Sequence, residues 1–461
     1  MAKYNFNGLA YESIDNFVFG HAPKKIEFAN GMVIGGGTVY PEVNFTLPPM
    51  QVNKNTIQKA FKEYKTMIQD TCQRAVELQV PGLVVEIELV PDMTFNPEWG
   101  IEVTKIIKDV MNEYAVKSGL KSLLRMTPVD IREGNDLEHM WYGKQWDTLM
   151  HCFRGCAESG ADLLSIESVG GKNLHDDAVM YCDMPKNIFS LGVVAAKDMQ
   201  KLWKNIVEIA NQANIVPAGD TACAFSNTSM VLGVRGMIPT VYAAVDRVMT
   251  AVRSMVAHEE GAIGPDKDCA YEGPYIKIIT GTPISMEGKS SAVAHNTFCG
   301  NIAAAVADLW SNESVENKRL LGGNTAAICT EMLAYDCRLM NTATSAGQNI
   351  MLRDLFVESD SKLDAHAYIM RPDVVYNIAK EIVKGKSHFE RTKIAGLKSV
   401  EELKKAEKAG KLILNQREMT YLDMIESQLT SITDNEEKFL DNMLKSNTTT
   451  TFDPKKYDLV V

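Results

Sequence analysis

The strongest constraint on this chain is a repeated alternation of short apolar runs with helical patterns. A helical pattern starts near Thr56 and places Ile57, Phe61, Tyr64, Ile68 and Ala75 on one face. It stops at "VPG", Val80 to Gly82, where proline and glycine break helices. "LVVEIELV" follows as a short β-branched run that reads as a buried strand. Ile101 to Ser118 is helical again, with Ile106, Ile107, Val110, Met111 and Tyr114 on one stripe and Gly119 placed to end it. "SLLRMT" is the next strand, a helix follows from near Trp141 to Ser159, and "ADLLSIES" is a further strand. "NIFSLGVVAA" reads as another strand, Lys201 to Ala213 as a helix, "NIVPAGD" as a strand, and "MIPTVYAAVDRVMTAVRSMVAHEE" as containing a long helix. "YIKIITG" and "TAAIC" are late strand candidates. Strands alternating with helices, several ending in an acid or a polar residue, point to a parallel α/β domain. At this length a (β/α)8 TIM-type barrel is favoured, because no dinucleotide fingerprint follows the first strand.

The two ends read differently. Residues 1–50 are expected to form an extended, glycine-bearing N-terminal arm, residues 51–345 the barrel, and residues 346–461 a charged helical extension. In that extension "MTYLDMIESQLTSI" repeats Leu422, Ile425, Leu429 and Ile432 at helical spacing, while "SNTTTTFDP" is low-complexity and irregular.

Of the 461 residues 45% are apolar, enough for one large core. The formal net charge of −11 repels phosphate backbones, so nucleic acid is not the expected partner. No run approaches the roughly 18 apolar residues of a membrane span, and the N-terminus lacks a signal-peptide core. Nine scattered cysteines in a long chain read as reduced thiols in a cytoplasmic protein, some of them free to bind metal.

Several motifs lose their appeal on inspection. "PISMEGKSS" resembles a phosphate loop, but Pro283 stands where the loop needs its first glycine. "LDAHAYI" carries Asp364 and His366, yet Ile369 stands where a cobalamin-ligating Asp-x-His-x-x-Gly pattern needs glycine, so it reads as a surface helix and the chain is expected to hold no corrinoid of its own. "LMHCFRGC" places Leu149, Cys152, Phe153 and Cys156 on one helical face, which is core packing. "GGG" at 35–37 is a turn.

Three segments carry more. "LLSIESVGGK" places Glu167 after an apolar strand and before a glycine pair. "AGDTACAFSNT" places Cys223 just beyond another strand, and "GAIGPDKDCAYEGP" holds Cys269 in a polar loop. Each residue alone is more at home in a structural role. Together they offer two soft ligands and one hard one from the ends of separate barrel elements, where barrel sites converge. Three protein ligands with an open fourth position are the catalytic form of a zinc site, although this wide spacing matches no short signature.

These segments, with "NPEWGIEV", "DIRE", "GPDKDCAYE", "MEGKSS", "WSNESVE" and "MLAYDCRLMNTA", resemble the zinc-containing subunit of the methanol:corrinoid methyltransferases over most of the chain. The resemblance implies a (β/α)8 barrel with extra helices and Zn(2+) ligands at Glu167, Cys223 and Cys269. It also implies transfer of the methyl group of methanol to a Co(I) corrinoid supplied by a partner protein subunit, and a homodimer within a hetero-oligomer. Two thiolates and one carboxylate leave zinc one negative charge in excess, so further donors or a proton source are expected behind the ligands. Asp220 is the first candidate, with a pure turn-forming role equally open, and Asn227 and Asp268 follow. An alternative is zinc-dependent methylation of a thiol such as coenzyme M or homocysteine, although no His-x-Cys pair of the kind some of those enzymes use is present. A structural zinc site is the remaining alternative, but such sites are closed by four residues, often in close Cys pairs.

Overall fold

The computed structural model describes residues 6–45, 50–134, 136–289, 297–314, 319–320, 323–446 and 452–459. An antiparallel hairpin, β1 (His21–Glu27) and β2 (Val33–Gly36), precedes seven parallel strands. These are β3 (Tyr40–Phe45), β4 (Leu83–Glu88), β5 (Ser122–Thr127), β6 (Leu163–Ile166), β7 (Val216–Asp220), β8 (Ser285–Glu287) and β9 (Leu309–Ser314). Their order across the sheet is β7-β6-β5-β4-β3-β9-β8. The short segment 263–266 spans the remaining gap. Ile263 and Gly264 donate backbone hydrogen bonds to Pro217 and Ala218 of β7, and Asp266 forms a parallel bridge to Ile284 beside β8. The sheet thus curls into the expected TIM-like barrel, its eighth side made by only a few residues.

Strand side chains alternate between the helix layer and the barrel axis. Val43, Phe45, Val85, Ile87, Leu124 and Met126 face outward into the main core. At the N-terminal end of the barrel, Tyr40, Val84, Leu123, Leu163, Ala218 and Leu309 form a separate apolar layer with Met32 and Ile34 of the hairpin, which plugs that end. Above this layer the axis is polar. Arg125 donates to Glu42 Oε1 (2.7 Å), Ser165 Oγ (2.8 Å) and the carbonyl of Pro265 (2.8 Å), and all of these side chains are buried.

The first fifty residues, expected as an arm, therefore supply both the plug and a strand at the heart of the sheet. Three expected strands are helical. "NIFSLGVVAA" forms the end of a short helix and a π-helical stretch (Phe189–Ala195), "YIKIITG" lies in helix Gly273–Thr280, and "TAAIC" opens helix Thr325–Ser345. All eight residues of Gly273–Thr280 are buried, so no polar face betrays a helical period. The "LDAHAYI" segment is a short helix, Ala365–Tyr368, whose four residues are buried rather than on the surface. Asp364 caps it by accepting from the Ala367 amide at 2.7 Å. Cys152 and Cys156 are fully buried in helix Lys144–Glu158, as core packing requires. Most of "SNTTTT" and the end of "MEGKSS" lie outside the described residues.

The long helix Thr240–Glu259 runs against the barrel and is buried along nearly its whole length. The C-terminal helices Gln416–Ser431 and His388–Lys408 pack over it. Among the described residues no helix is long and apolar enough to cross a membrane.

Candidate metal centre

Glu167 follows β6, Cys223 follows β7 after two residues, and Cys269 follows the short eighth side of the barrel. Parallel strands deliver all three to the same, C-terminal end. Their ligand atoms, one each, lie within 4.8 Å of one another, and Cys269 Sγ is 3.2 Å from Glu167 Oε1. Zinc–sulfur and zinc–oxygen bonds of about 2.0–2.3 Å place neighbouring ligand atoms roughly 3.3–3.8 Å apart in a tetrahedron. The trio fits such an ion with small side-chain movement. Cys269 is buried, Cys223 partly exposed, and the Glu167 side chain 31% exposed, so the centre opens to solvent on one side.

Each loop is held from behind. Ser168 donates its amide to Asp220 Oδ1 (3.3 Å), Val169 donates to Asp130 Oδ2 (3.0 Å), and Arg253 donates to the Ser168 carbonyl (2.9 Å). Gly170 is required because a β-carbon there would sit 2.1 Å from Asp198 Oδ2. Asp198 and Asp130 in turn share Arg132, which explains the "DIRE" segment. Glu272, three residues after Cys269, accepts from the Ala222 amide (2.8 Å), tying the two cysteine loops together, and is held by Arg247 (2.8 Å). Cys223 opens a π-helical turn, Cys223–Asn227, that brings the Asn227 side chain back so that its Nδ2 donates to Cys223 Sγ at 3.1 Å. Such wide turns recur at functional sites.

The thiols are tuned by their surroundings. The hydrogen bond with Cys269 lowers the Cys223 thiol, but burial and the Glu167 carboxylate outweigh it and push it up to about 11. Burial, Cys223 and Glu167 raise Cys269 well above the ordinary thiol range. A cation bound by such thiols displaces their protons.

Asp220, named with these residues from the sequence, faces away from them. The register of β6 and β7 shifts between Leu164 and Ser165, so Gly219 stands opposite Ser165 and Asp220 opposite the outward-facing Ile166. Its oxygens accept from Trp203 Nε1 (2.9 Å) and the Thr221 amide (2.7 Å), as well as from Ser168. Gly219 carries no side chain because a β-carbon there would meet Asp266 Oδ1 at 1.9 Å. Asn227 does reach the Cys223 sulfur, as described. Asp268 lies one step behind, accepting from Ser311 (2.8 Å) and Asn44 (3.2 Å).

Sequence reasoning missed Lys267, Glu86 and Glu88. Lys267 Nζ is 2.9 Å from Glu167 Oε1, 3.5 Å from Cys269 Sγ, 2.9 Å from Asp268 and 2.5 Å from Glu88. Glu86, Glu88 and Asp268 form a second close group of acids within the described residues. Burial raises Glu86 and Glu88, whereas Lys267 holds Asp268 below the ordinary carboxylate range against its burial. The signal was present in "LVVEIELV", where two acids at period two in an apolar strand must share one face.

Residues 3–458 match the family described as the methanol-cobalamin methyltransferase B subunit. A methanol–corrinoid protein co-methyltransferase of Methanosarcina barkeri is 37% identical over 448 residues, covering 96% of both chains. The crystal structure of a methanol:cobalamin methyltransferase complex from the same organism contains a chain that superposes with a TM-score of 0.94 at 36% identity, covering 98% of this chain and 99% of that one. By sequence and by fold, the chain belongs to the methanol-cobalamin methyltransferase B subunit family.

Proposed function

We propose that this protein transfers the methyl group of methanol to the reduced cobalt of a corrinoid carried by a partner protein, using a zinc ion held by Glu167, Cys223 and Cys269. The observation that carries the reading is the convergence of these three side chains, from three barrel loops, within 4.8 Å of one another. The named activity of the Methanosarcina barkeri relative supplies the substrate class.

The reaction is difficult because hydroxide is a poor leaving group. The C–O bond breaks with its electron pair on oxygen, the C–Co bond forms with a pair supplied by Co(I), and one proton completes water. When bound, zinc supplies Lewis acidity toward the methanol oxygen. The chain's own residues set the stage. Glu167, Cys223 and Cys269 would hold the ion through two thiolates and a carboxylate, three protein ligands of the kind that would leave room for substrate. The ties from Asp220, Asp130 and Glu272 fix the three loops, so the ligands are positioned in advance rather than gathered by the metal. The partly exposed side of the trio leaves the methyl carbon open to an approaching corrinoid, which a sealed site would forbid.

Ligand substitutions test this reading. Cys223→Ala and Cys269→Ala are expected to lose most of the zinc and at least a hundredfold of methyl transfer while unfolding at near-parental denaturant concentrations. Full zinc occupancy in both variants would show that the metal sits elsewhere.

A further inference from the structure

Lys267 is a feature of this centre that a three-ligand zinc site does not require. Its side chain is 1% exposed and reaches five acids or thiols at once. Glu88 (2.5 Å), Asp268 (2.9 Å) and the more distant Glu86 (3.8 Å) lie on the inner side, and Glu167 (2.9 Å) and Cys269 (3.5 Å) on the outer side. The inner acids are themselves fixed: Thr127 donates to Glu86 (2.6 Å), Asn44 donates to Glu88 (2.9 Å), and Ser311 donates to Asp268 (2.8 Å). A flexible lysine is thereby held in one place by a cradle built on β3, β4, β5 and β9. An ammonium buried this way costs much desolvation unless its charge is used.

We propose that Lys267 is a positioning residue that sets the acidity of the metal, by donating charge-assisted hydrogen bonds to two of the three ligands, Glu167 and Cys269. This rests on the zinc reading above. With two thiolates and one carboxylate the loaded centre carries one negative charge in excess, and a cation against the ligands, shared with the acids of the cradle, offsets part of it. A thiolate or carboxylate that accepts a hydrogen bond from an ammonium donates less electron density to its metal, which leaves the metal the stronger acid. Glu86, Glu88 and Asp268 serve to aim the ammonium. They also explain why acids stand inside an otherwise apolar strand.

Cobalt(II), added in place of zinc, gives a readout independent of turnover, because its thiolate charge-transfer band reports how strongly the sulfurs donate. Removing the ammonium alone would strand buried acids. The informative variant is therefore Lys267→Met combined with Glu88→Gln, which keeps the formal charge of the cradle, beside Lys267→Arg, which keeps the cation. In the double variant the thiolate band is expected at longer wavelength. Zinc is expected to be held about tenfold more tightly in chelator competition, since Glu167 and Cys269, freed of the ammonium's hydrogen bonds, are stronger donors to the metal. Methyl transfer per bound zinc is expected to fall at least tenfold in kcat, with KM for methanol little changed. Lys267→Arg is expected to keep the parental band. An unmoved band, or zinc held equally or less tightly, would overturn the inference and leave Lys267 a strut for the acids. A parental protein that binds cobalt with no thiolate band at all would instead overturn the metal centre beneath it.

Discussion

Asp220 and Glu167 both stand at the ends of neighbouring strands, and in the sequence each looks like an acid at the mouth of a barrel. The strand parity separates them. Leu163, Ser165 and Glu167 alternate along the inward face, whereas the register shift between β6 and β7 turns Asp220 toward Trp203 and Arg253. A one-residue irregularity reverses a side chain's face, and no property of "NIVPAGD" announces it. Asp220→Asn is accordingly expected to keep its zinc but to lose about 1.5–3 kcal/mol of stability, the usual worth of a buried charge-assisted hydrogen-bond set. Denaturant unfolding beside zinc analysis checks this, and zinc loss without a stability change would contradict it. Glu167 invites the opposite experiment. Glu167→Cys is expected to retain zinc, because a third thiolate is a good ligand, yet to lose most of its turnover, because that thiolate donates more charge to the metal. A parental rate per bound zinc would show that the carboxylate has no electronic role. Lys267 was legible only in part: "DKDC" shows a cation beside a cysteine, but the cradle that aims it comes from β3, β4 and β9, far away in sequence.

Among the elements, those with one buried face were readable and those buried all round were not. Helix Ile57–Glu77 keeps its apolar stripe and was placed from it, and Gly119 ends helix Pro97–Ser118 in the left-handed region at φ 70°. Helix Gly273–Thr280 and the Phe189–Ala195 stretch have almost no exposed side and so read as strands. The eighth side of the barrel, 263–266, is too short and too rich in glycine and proline to be recognised in "GAIGPD". Helix Thr240–Glu259 shows how a buried element carries charge. Its Asp246 accepts from Ser229 (2.7 Å), Asn187 (2.9 Å) and Ser226 (3.1 Å) and faces His175 Nε2 at 2.8 Å. Burial works to raise this carboxyl, but His175 and the hydrogen bonds outweigh it and hold it at about 2 against an ordinary 3.8. A depressed carboxyl contributes stability above its unfolded-state value and loses it as pH falls through the folded one. Asp246→Asn is thus expected to cost on the order of 2 kcal/mol at pH 7, with the difference from the parent closing as pH falls from about 4 toward 2. Urea titrations of both proteins across that range test it. A gap that stays constant would assign the loss to packing.

At the scale of the whole molecule the plan is a barrel sealed at one end, with the proposed metal centre at the other. The β1–β2 hairpin closes the N-terminal end with Met32 and Ile34, the Glu42–Arg125 pair fills the middle, and the Glu167, Cys223 and Cys269 loops crown the C-terminal end. The parallel α/β alternation made the barrel legible. The plug was not, because its residues come from a segment whose glycines and polar residues read as an arm. The polar middle was hidden too, since Glu42 and Arg125 are single charges in apolar strands and gain meaning only when the sheet closes. The central claim, that the crown holds a zinc ion through which methanol gives up its methyl group, is tested most directly by one reconstitution. The protein is stripped of metal, mixed with methanol and Co(I) cobalamin, and methylcobalamin is followed by its absorbance before and after one equivalent of zinc per chain is restored. The account predicts no methylcobalamin from the stripped protein, recovery on adding zinc, and no recovery in Cys223→Ala or Cys269→Ala. Methylcobalamin formed at the same rate with and without zinc would contradict it.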